Sequence, residues 1–455
     1  MIHYSPSVRI SISLLLVATA FAPALAGRRV GWRYDGSGHF PNTDPPRNWS
    51  KEENVVWKTE LPGRSLASPV VVGERIFVTS EPADIVCLST EDGRVLWQHT
   101  NQYVDVFGPE KGGHIERNLE LARNLRKEID TLNRERNELR KSSEARAGDG
   151  ESTEFQQLEE QIAKLRKQVE QLTVYPPMPG GDTANTGSTP VTDGKNVFVV
   201  FGTGIVASYT INGKRNWIEF VEAPRDHSAS PALIGGKLIV HYQNLNALDV
   251  TTGKTVWQTP TGARHGSPVV GRVGDTSVVV TPGGAIVRVD DGEILAKNQF
   301  RLGHCSPIVH EGVVYAMQDG AIKAVKLPHM KSEEVELAAW EADGSRTSRL
   351  ASPIYHDGLL YGVTDKGVLE VTEAKSGDRV YRKRLGFDGG RVDPSLCLAG
   401  GKIYVSNNRG TTVVFRPGRQ FQEISRNDLE EFKSSLAFSG RRMYVRTRKH
   451  LYCIE

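Results

Sequence analysis

The sequence repeatedly sets Arg, His or Asp just ahead of a Ser-Pro phrase and a run of apolar residues. These positions are Arg64 in GRSLASP, Arg225, Asp226 and His227 in PRDHSASP, and Arg264 and His265 in ARHGSP. They continue with Arg301 and His304 in RLGHCSP, Arg349 in SRLASP, and Arg391 and Asp393 in GRVDPS. Arginine presents a planar fork of donors suited to carboxylate or phosphate, and histidine titrates near neutrality. Gathered at one mouth, these residues form a basic, titratable ring for an anionic ligand or an acidic partner. The competing reading is structural: the same side chains bond nearby carbonyls and Asp residues, because a repeat copies structural contacts as readily as functional ones. His227, His265 and His304 are of the right type for zinc but show no local ligand spacing, so no metal is assigned.

What must position them is the repeat itself. The phrase recurs as ASPVVVGERIFVTS from Ala67, STPVTDGKNVFVVF from Ser188, ASPALIGGKLIVHY from Ala229 and GSPVVGRVGDTSVVV from Gly266. It continues as CSPIVHEGVVYAM from Cys305, ASPIYHDGLLYGV from Ala351, DPSLCLAGGKIYVSN from Asp393 and SSLAFSGRRMYVRT from Ser434. Apart from one long gap after the first, the spacing is roughly 40 residues, the period of a four-stranded propeller blade. Within each unit two apolar runs flank a Gly-containing turn, and a later strand closes on an aromatic. The clearest copy is ALDVTTGKTVW, Ala247 to Trp257, echoed by Cys87–Trp97 and Ala207–Trp217 and more weakly by Glu370–Tyr381. The last unit stops one strand short at HLYCIE, and NVVWKTELP from Asn54 supplies the missing strand with Trp57. Closing the ring this way removes an exposed sheet edge. The expected fold is all-β, an eight-bladed β-propeller closed by its N-terminal strand.

The A-x-D-x-x-T-G-K-x-x-W pattern at Ala247 to Trp257 resembles the tryptophan-docking motif of the pyrroloquinoline quinone (PQQ)-like β-propellers. The resemblance covers the chain from Asn54 to Glu455 apart from one insertion. It implies one of two branches: quinoprotein dehydrogenases with PQQ and calcium in the central funnel, or non-catalytic propellers such as the scaffold lipoprotein of outer-membrane protein assembly. The first branch implies an adjacent Cys-Cys pair, Glu/Asn/Asp calcium ligands and a catalytic Asp. Here Cys87, Cys305, Cys397 and Cys453 are dispersed, and Asp226 and Asp393 match no family motif. No nucleophile elbow, zinc-protease helix or P-loop points to another enzyme class.

The insertion runs from about residue 103 to 180. Leu125, Ile129, Leu132 and Leu139 fall at a/d spacing, and a second series follows at Phe155, Leu158, Ile162, Leu165, Val169 and Leu172. Two such seams with a polar break between them predict an antiparallel α-helical coiled-coil hairpin, ended by YPPMPGG. It is either a solvated spacer or an arm for a protein partner or self-association, and the connectivity places it on the funnel side.

The N-terminus pairs Arg9 with a short apolar run and an Ala24-Leu25-Ala26 site, a secretory signal cleaved after Ala26. Residues 27–53 form an N-terminal segment, and 54–455 the propeller. No later apolar stretch reaches the roughly 18 residues of a membrane span. A net charge of +3 over 455 residues does not suggest a nucleic-acid-coating protein. The four cysteines read as buried thiols. Taken together, these features describe an exported, periplasmic or secreted binding propeller without a cofactor, the alternative being a quinoprotein-like oxidoreductase using PQQ with calcium.

Overall fold

Each repeated phrase opens a short strand, the first of four antiparallel strands in a sheet. The structure is a computed structural model that describes residues 29–144, 153–173, 186–222, 229–262, 265–328, 330 and 337–455. The expected leader at 1–26, the stretch at 175–181, and Arg225, Asp226, His227 and Arg264 lie outside the described residues. The first strands are Val70–Val72, Val191–Thr192, Ala232–Ile234, Val269–Val273, Ile308–His310, Ile354–His356, Cys397–Ala399 and Ala437–Ser439. They head eight sheets arranged as an eight-bladed propeller. The second and third strands of a blade are buried on both faces, as Arg75–Ser80 and Asp84–Ser89 illustrate. Apolar faces of neighbouring blades fill the space between them; Val86 and Leu88 of the first blade share a core with Tyr444 and Tyr452 of the last.

The last blade is closed as the sequence predicts. Val55–Glu60 pairs antiparallel with His450–Ile454, with Trp57 opposite Cys453 and Glu60 opposite His450. Glu430 secures this seam: it pairs with Lys58 of the incoming strand at 2.7 Å and with Nδ1 of His450 on the outgoing strand at 2.9 Å.

The tryptophan motif has a geometric cause. Trp57, Trp97, Trp217, Trp257 and Trp340 each donate the indole N–H to a carbonyl of the following blade: Thr90, Ile211, Val250, Val289 and Ala374, at 2.9–3.1 Å. The turn receiving the ring carries a glycine in the left-handed region, φ 75° at Gly253 and 78° at Gly292. A Cβ at Gly253 would meet Trp217 at 2.6 Å, and one at Gly292 would meet Trp257 at 2.7 Å. The Thr-Gly turn and the Trp are therefore two halves of one joint between blades.

The N-terminal segment does more than lead into the ring. Val30 bridges Thr192, His39–Phe40 adds a parallel strand beside Cys397–Ala399, and Arg29 donates to the Leu233 carbonyl at 2.9 Å. His39 bonds the Tyr355 carbonyl at 2.5 Å, and Asp44 pairs with Lys402 at 3.2 Å. These contacts tie blades on opposite sides of the ring to one strap.

Two helices leave the ring between the first and second blades: α1 (Tyr103–Glu144) and α2 (Thr153–Leu172). Gly108, at φ 78°, separates a short first turn from the rest of α1. Ala122, Ile129 and Leu132 pack against Ile162, Leu165 and Val169, so both expected seams are used. Arg136 faces Glu159, whereas Leu121 and Leu125 share a cleft with Gln168 and Leu172. Contacts in that order require antiparallel helices. The root of α1 is anchored on the propeller: Tyr103 donates to the Thr203 carbonyl at 2.8 Å, and Asp105 pairs with Arg215 at 3.2 Å.

Candidate binding funnel

In a propeller the first strands surround the axis, and here their opening residues form a closed ring. The backbone N–H of Ser68 donates to the Thr189 hydroxyl, Thr189 to Ser230, Ser230 to Ser267, and Ser267 to Ser306. Ser306 donates to Ser352, Ser352 to Ser395, Ser395 to Ser435, and Ser435 back to Ser68. All eight distances lie between 2.9 and 3.1 Å. Every blade thus gives a hydroxyl to one neighbour and an N–H to the other. The ring lines a cavity of about 480 Å³.

Above the ring stand the residues that precede it in the chain. His265, His304, Arg391, Asp393 and Lys433 line the same cavity, with Leu66 and Leu350. His265 and His304, on adjacent blades, stack at 4.7 Å between ring centroids and 12° between planes. Partial burial, with the neighbouring imidazole of His265 second, holds the pKa of His304 below the usual histidine value. Asp393 accepts from Asn408 Nδ2 at 2.8 Å and lies 3.6 Å from Arg391. Asn408 also accepts from the Arg391 backbone N–H at 3.1 Å, so a loop between second and third strands meets the mouth.

Below the ring the cavity reaches Trp32 of the N-terminal strap. The strap bonds residues that follow the ring hydroxyls along their strands, so Trp32 lies on the side opposite the rim. Arg33 beside it is buried, and its guanidinium is held by the carbonyls of Leu396 at 3.2 Å and Pro353 at 2.7 Å. Burial lowers its pKa to about 10, which leaves it charged at neutral pH.

The sequence-derived mouth is only partly assembled here. His265, His304, Arg391 and Asp393 line the funnel. Arg64 and Arg301 are exposed and lie outside the lining. Arg349 is buried and turned into the protein: Nη1 donates to the Gln318 carbonyl at 2.6 Å, and Nη2 pairs with Glu370. Its two Nη groups bracket two blades, so the expected ring of arginines narrows to Arg391 among the described residues. The hydroxyl ring is the element the sequence reading missed as chemistry. Its signal was the Ser of the Ser-Pro phrase, recurring at one position of the repeat and read only as the start of a strand. Trp32 carried no periodic signal.

All four cysteines are free and buried, and burial pushes each thiol up to about 12. None lines the funnel. A calcium–quinone site needs several oxygen ligands, largely carboxylates. Among the described residues the funnel lining offers Asp393 alone, already engaged by Asn408 and Arg391, so this donor set does not fit calcium.

Closed blades, docked tryptophans and an axial funnel define a PQQ-like repeat propeller. The family described as outer membrane protein assembly factor BamB matches residues 49–113 and 241–455, well over half of the chain, and the protein belongs to that family. Among solved structures, BamB from Moraxella catarrhalis is similar with a TM-score of 0.55 at 14% identity, covering 88% of this chain and 96% of that one. Quinohemoprotein alcohol dehydrogenase from Comamonas testosteroni gives a TM-score of 0.55 at 11% identity, over 94% of this chain and 81% of its own. A europium-containing methanol dehydrogenase gives 0.53 at 11% identity, over 92% and 89%. At these identities the likeness is one of fold. No curated protein matches the chain. No helix among the described residues is long and apolar enough to cross a membrane.

Proposed function

We propose that this protein is an exported, non-catalytic binding propeller. It engages a protein partner or anionic ligand through its funnel face and its projecting helices, without a quinone or metal cofactor. The observation that carries this reading is the funnel lining, rich in hydrogen-bond donors and, among the described residues, with Asp393 as its one carboxylate. The helices add a second surface. They arise where the outer strand of one blade passes to the first strand of the next, on the rim side, and Leu121 remains 54% exposed beside their cleft. The name of the matched family, an assembly factor, fits a protein that works by contact. Export rests on the leader read at 1–26.

The test is a photo-crosslinking residue placed at Leu121 and, separately, at Arg391, in cells that export the protein. The expected result is one discrete adduct from each position, the one at Arg391 being lost when α1 beyond its root and α2 are replaced by a short linker. Absence of any adduct at both positions overturns the reading. A titration with PQQ and Ca²⁺ should leave the melting temperature flat. A saturable rise, lost in Arg391→Ala, would replace this reading with the oxidoreductase one.

A further inference from the structure

The hydroxyl ring has a donor imbalance. A hydroxyl carries one proton and two lone pairs. Each ring oxygen already accepts the N–H of the preceding blade, while its own proton has no acceptor among the described residues. The ring hydroxyls are all deeply buried; Ser306 and Ser352 are 1% exposed and Ser267 6%. Buried donors without acceptors are costly, so eight hydroxyl-bearing residues lining one cavity call for an acceptor-rich occupant.

The surroundings select the charge of that occupant. At the rim stand His265, His304, Arg391 and Lys433 with one carboxylate, Asp393, 3.6 Å from Arg391, and the side-chain nitrogens of the stacked imidazoles have no hydrogen-bond partner among the described residues. Under the ring the buried Arg33 guanidinium contributes a positive charge that bonds three neutral carbonyls and lies 5.2 Å from the Trp32 ring, with the Asp35 carboxylate near enough to act on it. A neutral polyol brings as many donors as acceptors and would leave the imbalance in place. An anion corrects both the donor excess and the charge. A cavity of about 480 Å³ accommodates a small molecule.

We propose that the funnel floor is a binding site for a small multivalent oxyanion, a carboxylate or phosphate compound, held by the ring hydroxyls beneath the His265, His304 and Arg391 rim. The proposal rests on the funnel being a contact face and deepens that reading. The crosslink from Leu121 reports on the helices and not on the ring, so the two readings fail in different experiments.

The test is isothermal titration of the mature chain at low ionic strength, with citrate in one arm and inorganic phosphate in the other. Saturable one-to-one binding is expected in at least one arm, and the arm that binds more tightly identifies the chemistry. Ser267→Ala should weaken it by about tenfold, whereas Ser267→Thr should retain it, because Thr189 already occupies the equivalent ring position. His304→Gln, at an exposed position, should weaken binding without endangering the fold and keeps the test valid if Ser267→Ala fails to fold. No saturable heat in either arm up to about 10 mM overturns the proposal. So does binding that is unchanged in folded Ser267→Ala and His304→Gln proteins.

Discussion

The propeller and the pair of helices solve the same problem, holding repeated apolar faces together, in opposite ways. In the propeller every joint has an axial hydrogen bond, and five of the eight have a docked tryptophan as well. A tryptophan docks from one blade into the next at the rim of the disc, and a hydroxyl receives the neighbour's N–H at the axis. The helices rely on one apolar seam, Ala122 through Val169, with the first turns of α1 fixed to the blades. Redundancy makes the ring a rigid frame whose axial groups are held in register. A single seam leaves a projecting element whose loss costs the frame little. Rigid scaffolds that position a variable accessory are how binding proteins commonly separate stability from recognition.

The largest expected break in that comparison is Trp257→Ala. It removes a buried indole and its bond to the Val289 carbonyl, and should cost about 3–5 kcal/mol in equilibrium unfolding. Ile162→Ala, a comparably buried change in the helices, should leave the propeller's unfolding midpoint nearly unmoved while lowering helical signal. If both substitutions shift the same transition equally, the two regions form one cooperative unit and the contrast fails.

Next in size is the axial ring. Ser352→Ala deletes the acceptor of the Ser306 N–H and should cost about 1–3 kcal/mol, the penalty for a buried donor left unpaired. Ser352→Thr should recover most of it. Amide exchange at Ser306 is the sharpest measure: faster in the Ala variant, near normal in the Thr variant. Replacing residues 120–176 by a short linker is the complementary change. It keeps the anchored root of α1 and should alter the propeller's stability by no more than about 0.5 kcal/mol, read by urea denaturation. A larger loss would mean that the helices brace the ring.

What the sequence disclosed follows the same division. The blade period, the Trp57 closing strand and both helical seams were legible because each is a local pattern: a turn glycine, an alternating strand, a heptad. The strap was not. Val30 meets Thr192 and His39 meets Leu398 across long separations, with no repeat to announce them. The fate of Arg349 was hidden for a related reason. It precedes a Ser-Pro phrase like the funnel residues do, but Glu370 on a later strand draws it into the core. Local sequence fixes which loop a side chain leaves from, and long-range charge decides which way it turns. The ring hydroxyls were visible at every repeat, yet their meaning depends on a neighbouring blade's N–H, which no single repeat contains.

The smallest expected effect concerns the seam that closes the ring. Glu430 is partly buried, which by itself would raise its pKa, but its bonds to Lys58, Tyr452 and His450 outweigh this and hold it down to about 2. A carboxylate whose folded pKa lies below its unfolded value stabilises the fold above the unfolded pKa, about 4.5 for a free Glu, and that contribution fades as pH falls toward 2. Wild type should therefore lose stability between about pH 4.5 and pH 2 more steeply than Glu430→Gln, which has no charge to lose. Because the carboxylate is partly exposed, solvent screening keeps the difference modest. Parallel melts of the two proteins across that range decide the matter, and identical slopes would show that backbone pairing between Val55–Glu60 and His450–Ile454 closes the ring without help from this ion pair.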